Sequence, residues 1–588
     1  MAKSIRSNIS ILIVAVFFII ALFKLFHLQI IDGNRYELLS RNNFLREAII
    51  PSPRGTIYDR NGIRISYSRP MVNLFAKNIS EDNYLDLLKD LYDNEIFLSV
   101  KEKKSLESQL KSNFQTKRIL LKKDLSIEEI FIIDTKLSSN EKLEMINDYL
   151  RVYPYKEVGS HLVGHLTSND KKDSMYGFLF SNRKGANGIE KDLDDQLTGI
   201  VGAEYFIVDS KGNEINFKNT NYTFSEIEKG KDIHTTIDIE LQKIIYESMK
   251  ELNGAVLVTN IDNGEVLSIV SKPGFDPNLF SKPLSNNDWK RLKTSSNKPF
   301  LNRAFLVSNP PGSIIKIITA AAGLEEGKIT TDSTVYCPGY MKIGNRNFRC
   351  WLKGGHGNVD VSKALVTSCD VFFYNLGMRL GIDKYSQWLS KFGIGELHAY
   401  LPYKQKLGTI PDETFINKYL KGKFYNGDMA NVAIGQGYLT LNVIQAHKMI
   451  SIIASDGYFT KFRLYKDEKI ETTKIINFKD KNIKEIKIGL LGVVNDNNGT
   501  GFHARMDGKL AGKTGTAQVI SKDSSKYGYG KFKNHGWFTA YYPFEKPKIA
   551  ITVFAEHGDS GGRAGGPIIK EIISFYKNKY MDIPHDKP

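Results

Sequence analysis

From Ile9 to Ile31 the chain is apolar except at Ser10, Lys24, His27 and Gln29, and no other feature narrows its fold as sharply. Coiled as a helix, that stretch reaches about 30–35 Å, enough to cross a bilayer. Lys24 lies near one end, where its amine can snorkel to the interface. Lys3 and Arg6 precede the apolar run, so the positive-inside rule keeps residues 1–8 as a cytoplasmic tail and sends everything after residue 31 outward. A cleaved signal peptide is the alternative. However, no A-x-A-like site follows the run, and Ala21-Leu22-Phe23-Lys24 is a poor substitute. The expectation is an uncleaved single-pass anchor over 9–31 in the cytoplasmic (inner) membrane, with the rest of the chain on the periplasmic, extracytoplasmic side.

The 588 residues are too many for one ordinary domain, so two or three compact units are expected. An apolar share of 41% with 25% charged residues excludes wholesale disorder. The formal charge of +16 suggests an anionic neighbourhood. It fits equally a Lys-rich solvated surface. No zinc-finger, RRM or basic-helix signature accompanies the charge, so nucleic acid is set aside as a partner.

No internal repeat or low-complexity tract is visible. After the anchor, Arg54-Gly55-Thr56-Ile57-Tyr58-Asp59-Arg60-Asn61-Gly62 reads as an extended start with an Asn-Gly turn. Residues 81–150, rich in Leu, Lys and Glu, carry a helix-like spacing that predicts surface helices on a supporting domain. Asp209 to Asp232 reads as loop or linker, which makes 32–232 one unit and 233–580 the next. The second unit opens with a helix start at Thr236-Ile237-Asp238-Ile239-Glu240, capped by Thr236 or Asp238. Two β-rich runs, Ala255–Asn260 and Glu265–Val270, flank Asp262-Asn263-Gly264 as a hairpin. Two more, Gly536–Tyr542 and Lys548–Phe554, precede a helix expected from Pro567 to Tyr576. Strands from both ends of the unit, with helices between, predict an α+β domain: an antiparallel sheet packed by helices.

Chemistry concentrates in three places. In Pro310-Pro311-Gly312-Ser313-Ile314-Ile315-Lys316, Pro-Pro-Gly breaks the preceding structure and a buried helix follows. Ser313 and Lys316, at i and i+3, share a face. A helix N-terminus favours negative charge developing at Ser313. Desolvation among isoleucines would lower the Lys316 pKa until its free amine accepts a proton. A serine beside such a lysine is an activated nucleophile without histidine. The bland alternative, a lysine snorkelling from a helix end, leaves so apolar a setting unexplained. Ser368-Cys369-Asp370 follows, ahead of Val371-Phe372-Phe373-Tyr374. Lys513-Thr514-Gly515-Thr516 then lies in a strand expected over Ala511–Val519. Gly512 and Gly515 would let a ligand backbone approach, Lys513 supplies charge, and Thr514 and Thr516 supply hydroxyls for a carboxylate. Each motif alone is more often structural. Together, S-x-x-K, S-x-D and K-T-G in this order match the penicillin-recognising serine enzymes.

Nearly end to end, the chain resembles the class B penicillin-binding proteins, and most closely the elongation type, the penicillin-binding protein 2 group. Arg54–Gly62 resembles the family's membrane-proximal motif. Arg151, Tyr153, Pro154 and Gly188-Ile189-Glu190 resemble motifs of its pedestal (dimerisation-like) domain, and Pro299–Arg303, Ile434-Gly435-Gln436-Gly437 and His535-Gly536-Trp537-Phe538 those of its transpeptidase domain. Asp370, where division-type relatives carry Asn, points to the elongation type. The resemblance implies that Ser313 attacks the D-Ala-D-Ala carbonyl of a donor stem peptide and releases D-alanine. Lys316 takes its proton, Ser368 relays protons and Asp370 holds the network. Lys513 tunes the field, and Thr514 and Thr516, flanking Gly515, bind the donor carboxylate. Backbone N–H groups of Ser313 and Thr516 would form the oxyanion hole. An amine of a neighbouring peptidoglycan stem then resolves the ester, no cofactor is needed, and β-lactams should acylate Ser313. A D,D-carboxypeptidase and a non-enzymatic β-lactam-binding sensor or scaffold are the competing readings. The N-terminal region is short for a glycosyltransferase and lacks the acidic motif expected of one, so a membrane-embedded glycan polymerase would be a partner.

All three cysteines, Cys337, Cys350 and Cys369, fall close together with His356 among them. A Cys₃His set is a closed tetrahedral zinc shell. At spacings longer than a zinc finger's, it would be a structural site assembled by the fold. A Cys337–Cys350 disulfide with Cys369 free is the rival in an oxidising compartment. Three buried thiols acting as apolar filler is another.

Overall fold

A 25-residue α-helix, Ala2–Phe26, opens the chain and runs on through a π-helical turn, His27–Ile31. Val14–Ile31 is long and apolar enough to span a membrane, and none of it is buried against the rest of the protein. In this computed structural model the described residues are 2–33, 45–77, 84–111, 118–140, 142–168, 183–200, 202–207, 227–281, 286–397, 403–519, 524 and 530–581. Most of the expected linker, residues 209–226, lies outside them.

The region beyond the anchor is built on one long strand, Arg64–Lys77. It pairs antiparallel with Arg118–Lys122 and Leu143–Val152. Helices Tyr84–Asp93, Val100–Lys111 and Ile127–Lys136 pack on it around a core that includes Leu74, Leu87, Leu91, Leu121 and Ile133. The all-helical expectation for 81–150 is corrected by the two strands. Arg118-Ile119-Leu120-Leu121-Lys122 is too short for a helix, and Leu143–Val152 finds a partner only through the distant Arg64–Lys77 strand. The Ile127 helix starts in a capping box, Ser126 with Glu129. At the foot of this region, Ile57–Tyr58 pairs with the long strand and, in parallel, with Ile233–His234 from the returning chain. Beside it Glu190, fully buried, accepts from Arg54 Nε at 2.7 Å, Arg151 Nε at 2.8 Å and Tyr153 Oη at 3.2 Å.

The second region carries a five-stranded antiparallel sheet in the spatial order Val266–Lys272, Asn253–Asn260, Ile549–Glu556, His535–Tyr542, Ala511–Ala517. Strands from both ends of the region therefore meet at its centre, Asn253 opposite Glu556. Ile239–Ser248 and Gly561–Tyr576 cover one face around Leu241, Ile245, Ile569 and Ile572. Lys316–Glu325 and Val443–Ala454 belong to the larger core on the other. Asp238 is the cap of the first helix, accepting from Glu240 N and Leu241 N, whereas the Thr236 hydroxyl turns inward to the Val266 carbonyl.

The last helix begins at Gly561, six residues before the expected Pro567. Its first turns lie so close to the sheet that a Cβ on Gly561 would sit 2.0 Å from the Trp537 carbonyl oxygen. A run that reads as a loop by propensity is thus helix by packing. Beyond it, Lys579 Nζ reaches Asp238 at 2.8 Å and Glu240 at 2.7 Å, so the end of the described chain is fastened to the start of this region.

Candidate active site

Ser313 sits in a 3₁₀ turn, Gly312–Ile315, leading into the helix Lys316–Glu325. Two backbone segments converge on that turn. Gly312 (φ +56°) donates its N–H to Gly435 O at 2.9 Å. A Cβ on Gly312 would lie 2.6 Å from Thr516 O, and one on Gly435 (φ +75°) 2.1 Å from Gly312 O. Glycine is required at both positions by conformation and by space. Gly515 does similar work: its Cβ would meet Pro311 O at 2.6 Å and Ile314 N at 3.2 Å, while a Cβ on Gly512 would meet Thr539 O at 2.5 Å. On the side where a Cβ would stand, both glycines of the strand make room for protein.

The Lys316 stem is fully buried among Ile314, Ile315, Ile317 and Ile318, as its setting in the sequence predicts. Its amine leaves that apolar cage for three oxygens: Asp370 Oδ1 at 2.6 Å, Ser368 O at 2.9 Å and Ser368 Oγ at 3.3 Å. The Phe373 ring lies 5.4 Å away on another side. Ser368 holds a left-handed backbone, φ +53°, which costs a non-glycine residue about 1–2 kcal/mol. Asp370 opens the helix Asp370–Leu380, where a carboxylate is favoured by the helix dipole. Its second oxygen accepts from Trp351 N at 3.0 Å.

Lys513, also fully buried, donates to Thr514 O at 3.1 Å. Burial pushes its pKa well below the usual lysine range, and the nearby Lys316 charge pushes the same way against a weaker opposing pull from Asp370. The Thr514 hydroxyl is largely buried and donates to Thr500 Oγ1 at 2.7 Å, whereas Thr516 is exposed. Gln436 Nε2 donates to Thr516 O at 3.2 Å. The three motifs thus meet in one place. Thr500 and Trp351 join them without any sequence signal: Thr500 lies in a run of Asn and Gly that reads as a turn, and Trp351 follows a cysteine in no known motif.

Against the back of this site the sequence's other cluster assembles. The ligand atoms of Cys337, Cys350, His356 and Cys369 lie within 4.8 Å of one another. Cys337 pairs with Gly357 in a two-stranded ribbon, and the hairpin Tyr340–Arg349 delivers Cys350. All three cysteines are buried and unbridged. His356 Nδ1 lies 3.6 Å from both Cys337 Sγ and Cys350 Sγ. With zinc bonds of about 2.3 Å to sulfur and about 2.0–2.1 Å to nitrogen, a tetrahedral shell puts neighbouring ligands about 3.6 Å apart, so the donor set fits. A hydrogen bond from Cys369 holds the Cys350 thiol down to about 5 and raises that of Cys369. Asp370 N donates to Cys350 Sγ at 3.3 Å, so the cluster touches the Ser368–Asp370 turn directly.

Comparison with known proteins agrees with this geometry. Residues 254–574 match the family described as the penicillin binding protein transpeptidase domain. Residues 49–235 match the penicillin-binding protein dimerisation domain. The chain is 31% identical over 593 residues to the peptidoglycan D,D-transpeptidase MrdA of Haemophilus influenzae, covering 95% of this chain and 89% of the relative. It is 29% identical to the protein of that name from Escherichia coli, covering 96% and 93%. Among solved structures, the penicillin-binding protein PBP2 of Helicobacter pylori in complex with MreC superposes with a TM-score of 0.78 at 28% identity, covering 92% of this chain and all of that one. A chain from a peptidoglycan synthase complex described as coordinating polymerization and crosslinking superposes with a TM-score of 0.73 at 26% identity, covering 98% and 99%. The chain belongs to the class B penicillin-binding proteins, with a dimerisation domain ahead of a transpeptidase domain, and its activity is peptidoglycan D,D-transpeptidation.

Proposed function

We propose that Ser313 is the nucleophile and that the reaction runs through an ester on its Oγ. The observation that carries this reading is the Ser313 turn pressed between Gly435 and Thr516, one helical turn from an amine in contact with Ser368 and Asp370. Oγ attacks the carbonyl carbon between the donor's terminal D-alanines, and its proton passes to Lys316. Lys316 is ion-paired with Asp370, so it must first surrender a proton. Ser368 relays that proton toward Lys513, whose buried amine is held well below the usual lysine range. When the tetrahedral centre collapses, the C–N bond breaks, the leaving amine takes up a proton and D-alanine departs. An acceptor amine then attacks the ester and Ser313 recovers its proton. Thr516 and the Thr514–Thr500 pair bind the donor's terminal carboxylate. β-Lactams take the same route and stop at the acyl-enzyme.

The domain division that supports this reading is a tail at 1–8, an anchor at 9–31, a pedestal at 32–232 and the transpeptidase domain at 233–580. The basic residues ahead of the apolar helix favour a periplasmic catalytic domain. The complex of a relative with MreC and the relative in a synthase complex of polymerization and crosslinking support a protein partner and a glycan polymerase working with this chain in wall elongation. The test is labelling with fluorescent penicillin. Wild type should carry one adduct, on Ser313 by mass spectrometry, and Ser313→Ala none; an adduct on Ser368 would sink the assignment.

Cys337, Cys350, His356 and Cys369 are the residues to hold a zinc ion, whose contribution would be to cross-link the segment behind Ser368 and Asp370. Elemental analysis of the purified extracytoplasmic part should find about one zinc per chain. Cys350→Ser should lower that content and slow acylation. A chain without metal that gains two protons on reduction would establish the disulfide instead.

A further inference from the structure

Among the described residues the five-stranded sheet ends at Ala511–Ala517, and the outer edge of that strand faces the Ser313 turn. Thr516 presents its backbone there: a Cβ on Gly312 would lie 3.0 Å from Thr516 N and 2.6 Å from Thr516 O. An edge of this kind accepts an extended peptide as one more strand. In an antiparallel hydrogen-bonded pair the two residues exchange both bonds. A stem peptide whose scissile carbonyl accepts from Thr516 N–H in the oxyanion hole therefore aims the N–H of that same residue at Thr516 O. That oxygen is already taken, by Gln436 Nε2, which donates to it at 3.2 Å. The loop beneath holds Gln436 in place. Gln436 N donates to Asn431 O at 2.9 Å, Gly435 N donates to Val432 O at 3.0 Å, and Gly435 O accepts from Gly312 N at 2.9 Å. Only the side chain is free to leave. Gly312 stands against the same oxygen from the turn side, so the Gln436 amide and a peptide N–H contend for the approach that remains.

We propose that Gln436 sets the affinity of the enzyme for its donor stem: its side-chain amide covers the Thr516 carbonyl and must be displaced before an extended peptide can pair with the strand edge. The bond lost and the bond gained are of one kind, an amide N–H on a peptide carbonyl, so the exchange returns little net free energy. Affinity is thereby held down without touching the groups that make and break bonds. The cost falls equally on every extended ligand. A stem held beside the site on its glycan strand overcomes it by local concentration, and a dilute free peptide does not. Covering the carbonyl also keeps an unpaired strand edge from recruiting other chains. The inference rests on the reading of Ser313 as the nucleophile, with Thr516 N–H in its oxyanion hole.

Stopped-flow acylation of the full chain by fluorescent penicillin separates the dissociation constant from the acylation rate constant. The side-chain amide of that penicillin carries an N–H where the stem peptide carries its own. Gln436→Met keeps the length of the side chain and loses the N–H, and Gln436→Ala removes the cover altogether. Both should bind the penicillin about threefold to fivefold more tightly and acylate with a rate constant within about twofold of wild type. Penicillanic acid, the same ring system without the amide, leaves Gln436 where it is. Measured by competition, it should bind wild type and both variants equally, within about twofold. The methionine variant decides the matter if the alanine variant fails to fold. Unchanged or weaker binding of the penicillin, or an equal gain for penicillanic acid, overturns the role of Gln436. The adduct is mapped by mass spectrometry in each sample. An adduct away from Ser313 sinks the reading of the site and this inference with it. An adduct on Ser313 without the gain in affinity sinks the inference on Gln436 alone.

Discussion

Two buried lysines with one carboxylate between them set the proton inventory of the site. Lys316 has Asp370 at 2.6 Å, and Lys513 has no carboxylate at such range among its bonds. Burial and the neighbouring charge therefore hold Lys513 below the usual lysine range. The consequence for stability has a definite sign. Between its lowered pKa and the ordinary 10.5, the folded chain binds fewer protons at Lys513 than the unfolded chain does. Stability from this group therefore rises with pH across that window and is at its lowest below it. Lys513→Met removes the group and the slope together. The Tm of the variant minus that of wild type should be most positive near about pH 6 and shrink toward about pH 10. Scanning fluorimetry across that range checks it, and a constant difference would show that Lys513 does not titrate in this way.

Among the elements, those legible in the sequence were the ones whose reasons are local. Asp262-Asn263-Gly264 turns the hairpin because Gly264 takes φ +72°, and the strands on either side follow. The Ser313 turn and the buried Lys316 helix follow from Pro-Pro-Gly and a run of isoleucines. What stayed hidden depends on distant partners. Leu143–Val152 carries helix-like composition, and becomes a strand because Arg64–Lys77 offers an unpaired edge. Gly561–Gly566 carries four glycines, and becomes helix where the sheet beneath Gly561 and Gly565 and the Thr500–Ala504 segment beside Gly562 and Gly566 leave no space for side chains. The same division holds in the site. Ser313, Lys316, Ser368, Asp370 and Lys513 are visible as spaced motifs. Thr500 and Trp351 act through contacts that no spacing announces. The cysteine cluster was visible as a coincidence of position, and its geometry came only with the ribbon that folds Cys337 onto Cys350.

At the scale of the whole molecule, Glu190 is the residue on which the foot of the pedestal depends. It is fully buried, and the guanidinium groups of Arg54 and Arg151 both close on it. Replacing it by Gln takes the counter-charge from buried Arg151 and leaves Arg54 with Asp194 alone, at 2.7 Å, a change that costs about 3–5 kcal/mol. Glu190→Gln should lower the Tm of the purified protein sharply while the chain that remains folded still takes up penicillin at Ser313. Calorimetry with parallel labelling measures both. A Tm within a degree or two of wild type, about the size of an ordinary surface substitution, would show that the two arginines find compensation elsewhere.

The sheet that supports the site also sets a clock. Its central pairing joins Asn253 to Glu556, and the strand bearing Lys513 lies at the sheet's edge, paired among the described residues with His535–Tyr542. Neither contact can form until residues 535–556 have been made. Pairings between such distant segments form late and slowly. Ser313 is made well before the strand that carries Lys513 and the neighbour that pairs with it. Until those strands pair, no sheet holds the Lys513 segment against the Ser313 turn, and the three motifs stay apart.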